Sequence, residues 1–113
     1  MTVLPPVSLD EAADWLRKRF DPESAAGLDL GYAFELTGPG GGRLGVRVAD
    51  GRLAVGPEPP PEPDVRLRLD ARDFFGVLAG RENADMLFMS GRLEVEGDHG
   101  LALKLRQIFR APV

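Results

Sequence analysis

His99 is the only histidine of the chain, and there is no cysteine. A histidine acting as general base needs an orienting carboxylate on one side and a nucleophile or substrate proton on the other. Asp98 precedes it, but Asp98 stands where it caps the last helix, which leaves His99 in a first turn that faces solvent. Ser8, Ser24 and Ser90 also fall at expected helix ends, where capping accounts for them. Thiolate nucleophiles, disulfides and cysteine metal sites are excluded, and one histidine is too few for a structural zinc site. Glu94 and Glu96 share one face of an alternating segment and could form an acid pair. Leu93 and Val95 on the opposite face make them a solvated strand face instead. The run Gly38 to Gly42 lacks the Gly-Lys-Ser/Thr ending of a phosphate loop and joins two alternating segments, so it reads as a hairpin loop. No pattern calls for an enzyme, a metal or a cofactor.

Apolar side chains are the unusual feature. Met86, Leu87, Phe88 and Met89 are consecutive, and no single helix face buries all four. Either Met86 and Met89 face the core, or some of the four line an adaptable pocket, a role that Met suits because it repacks cheaply. Phe74, Phe75, Ile108 and Phe109 raise the same alternatives.

The elements that would carry these residues follow from periodicity. Ser8 and Glu11 form a capping box for a helix with Leu9, Ala13, Leu16 and Phe20 on one face, flanked by Trp15. Asp21-Pro22 ends it, and a further short helix is expected over Pro22 to Ala26. Leu28 to Leu36, Leu44 to Val48, Leu53 to Val55 and Val65 to Leu69 alternate as strands, and Asp50-Gly51 marks a hairpin. Pro57 to Pro63 is a stiff extended loop. Asp70 or Ala71 opens a helix that Gly80 stops, Arg81 to Met89 forms another, Arg92 to Glu96 is a fifth strand, and His99 to Phe109 is the last helix. Short turns between sequential strands favour antiparallel pairing. The expected fold class is α+β: a five-stranded, mainly antiparallel sheet covered on one face by about five helices, all of residues 1–113 forming one domain.

Formal net charge is -4, with both signs interspersed, which argues against nucleic-acid binding. Neither a signal peptide nor a membrane-spanning run is present in the sequence, so a cytoplasmic protein without stable membrane insertion is expected. Lys occurs only at Lys18 and Lys104, the other basic residues being Arg, and Asn and Gln occur once each. That bias fits a bacterial, GC-rich and thermophilic source.

Five segments carry a family resemblance: Asp64-Val-Arg-Leu-Arg-Leu, Asp73-Phe-Phe, Leu78-Ala-Gly, Phe88-Met-Ser-Gly-Arg-Leu-Glu-Val-Glu-Gly-Asp and Leu101-Ala-Leu-Lys-Leu. In this order and spacing they resemble the sterol carrier protein type 2 domain family over Asp64 to Phe109. The first half fits it in its order of elements. The resemblance implies an apolar tunnel between sheet and helices that takes a fatty acid, acyl-CoA, phospholipid, sterol or isoprenoid, for binding and transfer without catalysis. Phe34, Val46, Phe74, Leu78, Phe88, Met89, Leu101, Leu105 and Phe109 are then the expected lining, with Arg106 as a head-group contact. Where relatives often carry Lys, this chain has Arg92, Glu94 and Glu96, which argues against docking on anionic membranes. The rival expectation is an accessory domain using the same apolar surface for a protein partner or a homodimer.

Overall fold

The computed structural model of the chain describes residues 8–109, the side chain of Arg106 excepted. The elements are α1 (Leu9–Arg19), β1 (Asp29–Thr37), β2 (Gly42–Ala49), β3 (Arg52–Gly56), β4 (Val65–Asp70), α2 (Ala71–Leu78), α3 (Ala84–Met89), β5 (Leu93–Gly97) and α4 (His99–Ile108). The class is α+β, as the periodicity implies. Four helices form among the described residues rather than five. Pro22–Gly27 makes turns only, because Ala25 is its one buried side chain and no apolar stripe holds a helix there.

The strands form one sheet in the order β3-β2-β1-β4-β5. Neighbours pair antiparallel except β1 and β4, which run parallel. The parallel pair departs from the simple meander, and the proline segment explains it. Gly56 at the end of β3 pairs with Gly45, Gly45 with Ala33, and Ala33 with Arg66. β3 therefore ends at the level where β4 begins, and the segment between them crosses β2 and β1 on the outer face. It crosses over residues without a side chain. A Cβ on Gly45 would lie 2.2 Å from the Glu58 carbonyl oxygen, and one on Gly31 would lie 2.9 Å from Pro60 Cγ. The end of the strap is tied down twice: Asp64 N donates to the Gly31 carbonyl, and Gly31 N donates to the Asp64 carboxylate, each at 2.8 Å.

The rest of the outer face is charged and alternates in sign across the strands. Arg43 faces Glu35, Glu35 faces Arg68, and Arg68 faces Glu94. Glu96 faces Arg66 in the next row. Opposite charges in register are favourable, so the two glutamates belong to a solvated ladder. At the β2–β3 hairpin, Asp50 and Gly51 both have positive φ, 54° and 70°, as a type I′ turn requires.

The inner face carries the core, with Tyr32, Val46, Val48 and Val65 fully buried. All four helices pack on the sheet. α1 lies against β2 and β3, α2 against β1 and β4, α3 against β5, and α4 against β4 and β5. Their ends follow from local chemistry. Ser8, Asp70, Asn83 and Asp98 accept first-turn amides of α1, α2, α3 and α4. α2 and α3 both end in Schellman motifs. Gly80 N donates to Val77 O and Arg81 N to Gly76 O, while Gly91 N donates to Phe88 O and Arg92 N to Leu87 O. The glycines take φ of 81° and 79°, which glycine adopts without strain.

Candidate functional site

α1 sits over one side of the sheet and α3 with α4 over the other. α2 lies over β1 and β4 between them, and the space the helices leave over the inner face is a cavity of about 530 Å³. Phe34, Leu67, Leu69, Leu93 and Val95 of β1, β4 and β5 form its floor. Phe74, Val77 and Leu78 of α2, Phe88 of α3, and Ala102, Leu103 and Leu105 of α4 form its walls, together with Trp15 and Leu16 of α1 and Phe109. The rings of Phe34 and Phe74 meet at 5.3 Å, tilted, a favourable aromatic geometry. One end is closed where Phe20 bridges Phe109, with Asp21 N donating to the Ile108 carbonyl at 2.8 Å.

Three titratable side chains are among the described lining residues: Arg19, Asp85 and His99. The Arg19 guanidinium lies over the Trp15 ring, 4.2 Å from its centroid, a cation–π contact. His99 meets Phe88 edge to face at 5.6 Å. His99 is exposed, as its place in a first turn implies, yet it stands at the cavity's edge. A site lined almost entirely by apolar side chains can desolvate a hydrocarbon and offers little to a polar reactant. No group of three or more His, Asp or Glu among the described residues could hold a metal ion.

α2, α3 and α4 are fixed by polar contacts outside the cavity. Asp73, buried in the first turn of α2, accepts a hydrogen bond from Arg92, the residue that completes the Schellman motif of α3. Tyr32, fully buried on β1, donates its hydroxyl to the Leu101 carbonyl of α4 at 2.8 Å. Burial, and secondarily the nearby Asp64 charge, push its phenol up from 10.0 to about 12.

Of the residues expected to line a cavity, Phe34, Phe74, Leu78, Phe88, Leu105 and Phe109 do surround it. Leu101 is not among the described lining residues; it packs against the core, its carbonyl held by Tyr32. Val46 and Met89 are corrections: neither is among the described lining residues. Val46 is fully buried on β2, under the side of the sheet that α1 covers. Met89 is 82% exposed because α3 buries only Leu87. Met86 likewise faces solvent rather than the core. The expected Arg106 contact falls on a side chain outside the described residues. Trp15, Arg19, Leu67, Leu69, Val77, Leu93, Val95 and Leu103 were not expected. Alternation puts the four strand residues on the inner face, and Trp15 flanks the α1 stripe, but neither pattern says where the helices part.

A family model described as the SCP-2 sterol transfer family matches residues 14–110. Hydroxysteroid dehydrogenase-like protein 2 of Xenopus tropicalis is 40% identical over 79 residues, 69% of this chain and 19% of that protein. The Xenopus laevis protein of that name is 34% identical over 102 residues, 89% of this chain and 24% of that protein. The chain thus spans a quarter or less of these relatives. Among solved structures, the sec-alkylsulfatase Pisa1 from Pseudomonas sp. superposes with a TM-score of 0.79 at 17% identity, over 92% of this chain and 16% of that one. Palmitated SCP2L2 from Aedes aegypti gives 0.69 at 17% identity, over 97% and 99%. The UbiJ-SCP2 ubiquinone synthesis protein gives 0.66 at 17%, over 85% and 87%. At these identities the structures share the fold.

Proposed function

The chain belongs to the SCP-2 sterol transfer family, and from that premise we propose that it binds and passes on one long apolar ligand, of fatty-acyl or isoprenoid type, without catalysing a reaction. The observation that carries this is the apolar cavity between sheet and helices. At about 530 Å³ it lies within the size range of small-molecule sites, and its lining is almost entirely apolar. That lining suits the hydrocarbon of a fatty-acyl or isoprenoid chain. Burying about fourteen methylenes contributes about 11 kcal/mol at roughly 0.8 each. Association entropy offsets at least about 4 kcal/mol, which leaves micromolar affinity.

Arg19 at the cavity's edge suits an anionic head group, because a guanidinium meets a carboxylate with paired donors. Arg106 keeps the same proposed role from the sequence. Native mass spectrometry of the purified protein, followed by titration with palmitate and with the alcohol of equal length, tests this reading. The expected result is one lipid per chain and tighter binding of the acid, by about threefold to thirtyfold for a charge-assisted pair. Arg19→Gln should remove most of that preference, and Arg106→Gln reads the second candidate. Absence of co-purifying lipid together with no saturable binding would overturn the proposal.

An accessory role is the second reading. The exposed Met86 and Met89 favour it, since they stand outside the cavity. Light scattering separates the two: a lipid-free stable oligomer supports the accessory role.

A further inference from the structure

The two edges of the sheet are not alike. At β3, Arg17 of α1 donates to the Val55 carbonyl at 2.8 Å, and Asp14 holds the same guanidinium at 2.8 Å. A side chain therefore occupies a main-chain acceptor of that edge strand. β5 forms the other edge and pairs on one side only, with β4. Among the described residues, no hydrogen bond reaches the backbone of Leu93–Gly97 except those of β4. Such an edge offers a row of N–H and C=O groups to an extended chain.

The side chains of β5 define what that chain must carry. Leu93 and Val95 point to the inner face, while Glu94 and Glu96 stand exposed on the outer face. Arg68 and Arg66 of β4 face the two glutamates in register, yet neither glutamate is in an ion pair among the described residues. Both carboxylates are thus left to a neighbour on the free side. The strand already paired with β5 shows the matching pattern: Val65, Leu67 and Leu69 are buried, and Arg66 and Arg68 point outward.

We propose that the free edge of β5 takes up an extended segment of a partner protein, one that alternates basic with aliphatic residues and joins the sheet as a further strand. Main-chain hydrogen bonds supply the attachment, and the two faces of β5 set the register. Charge selects the partner. A second copy pairing here about a two-fold axis normal to the sheet sets glutamate against glutamate, and like charges directly opposite are destabilising. The other edge of a second copy is the one that Arg17 guards. A basic and aliphatic segment meets Glu94 and Glu96 on one face and Leu93 and Val95 on the other. The proposal is independent of what fills the cavity.

The test uses the whole chain, labelled with nitrogen-15, and a hexapeptide of three Arg-Leu repeats capped at both ends. Amide shifts should saturate at one peptide per chain and concentrate on Leu93–Gly97. The isomer with its three arginines ahead of its three leucines has the same charge but no alternation, and should bind about tenfold more weakly. Alternate residues of a strand turn their N–H groups to opposite sides. N-methylation of the three arginines and of the three leucines, in separate peptides, should therefore give one peptide weakened about tenfold and one unchanged. Glu94→Gln/Glu96→Gln should weaken the parent peptide about threefold to tenfold, with the melting temperature showing that the variant is folded. Absence of saturable shifts up to millimolar peptide, or shifts centred away from β5, would overturn the proposal. So would equal binding of the isomer, equal binding of the two N-methylated peptides, or a folded double variant with unchanged affinity.

Discussion

Tyr32 shows at the scale of one residue how the cavity wall is held. Its ring fills the inner face of β1, and its hydroxyl holds the α4 backbone at Leu101. Burial favours the neutral phenol, with a pKa of about 12 against 10.0 when unfolded. Its contribution is therefore complete below pH 10 and is lost as the pH rises through about 12. Chemical denaturation between these limits should show stability falling with pH in the parent and a flatter profile in Tyr32→Phe. Tyr32 is the only tyrosine, so its ionisation can also be followed directly by absorbance; an ordinary tyrosine titration would contradict the account. Side-chain direction was readable in the sequence to this depth. Alternation correctly set Phe34 and Val46 on one face of the sheet, but not their distance from its middle, and that distance separates a cavity floor from a position beneath α1. In the run from Met86 to Met89, composition marked the place without saying which residue points inward, because a helix of six residues is positioned by its caps and its single anchor.

At the scale of elements, the proline strap sets the sheet order. The helix and strand boundaries followed from caps, glycines and period, and the I′ turn at Asp50-Gly51 followed from its residues. The parallel β1–β4 pair did not, since only the strap's path over Gly45 and Gly31 produces it. The clue was present as small residues at outward positions beside a proline run, but a glycine in a strand reads equally well as a bulge or a weak point. Gly45→Ala puts a methyl group into the Glu58 backbone and should cost about 1–3 kcal/mol. Gly56→Ala, its register partner with open space around it and no positive φ, should be nearly neutral. Urea denaturation of the two variants checks this, and equal effects would remove the strap from the account.

At the scale of the whole molecule, the cavity belongs to no element. It is the space left because α1 packs on β2 and β3 while α3 and α4 pack on β4 and β5. Periodicity cannot report such a space, since the same inward residues would fill a closed core if the helices met. The segments from Asp64 to Phe109 indicated it only through their likeness to a family. The most direct test is to fill the space. Leu105 lines the cavity from α4 and is half-buried, so tryptophan there projects into existing room. Titration of a fluorescent fatty acid into the parent and into Leu105→Trp should give one saturable site in the parent. In the variant, affinity should fall at least about tenfold, roughly 1.4 kcal/mol, with the melting temperature unchanged or raised. Equal binding by the two proteins would contradict a ligand held between the sheet and its helices.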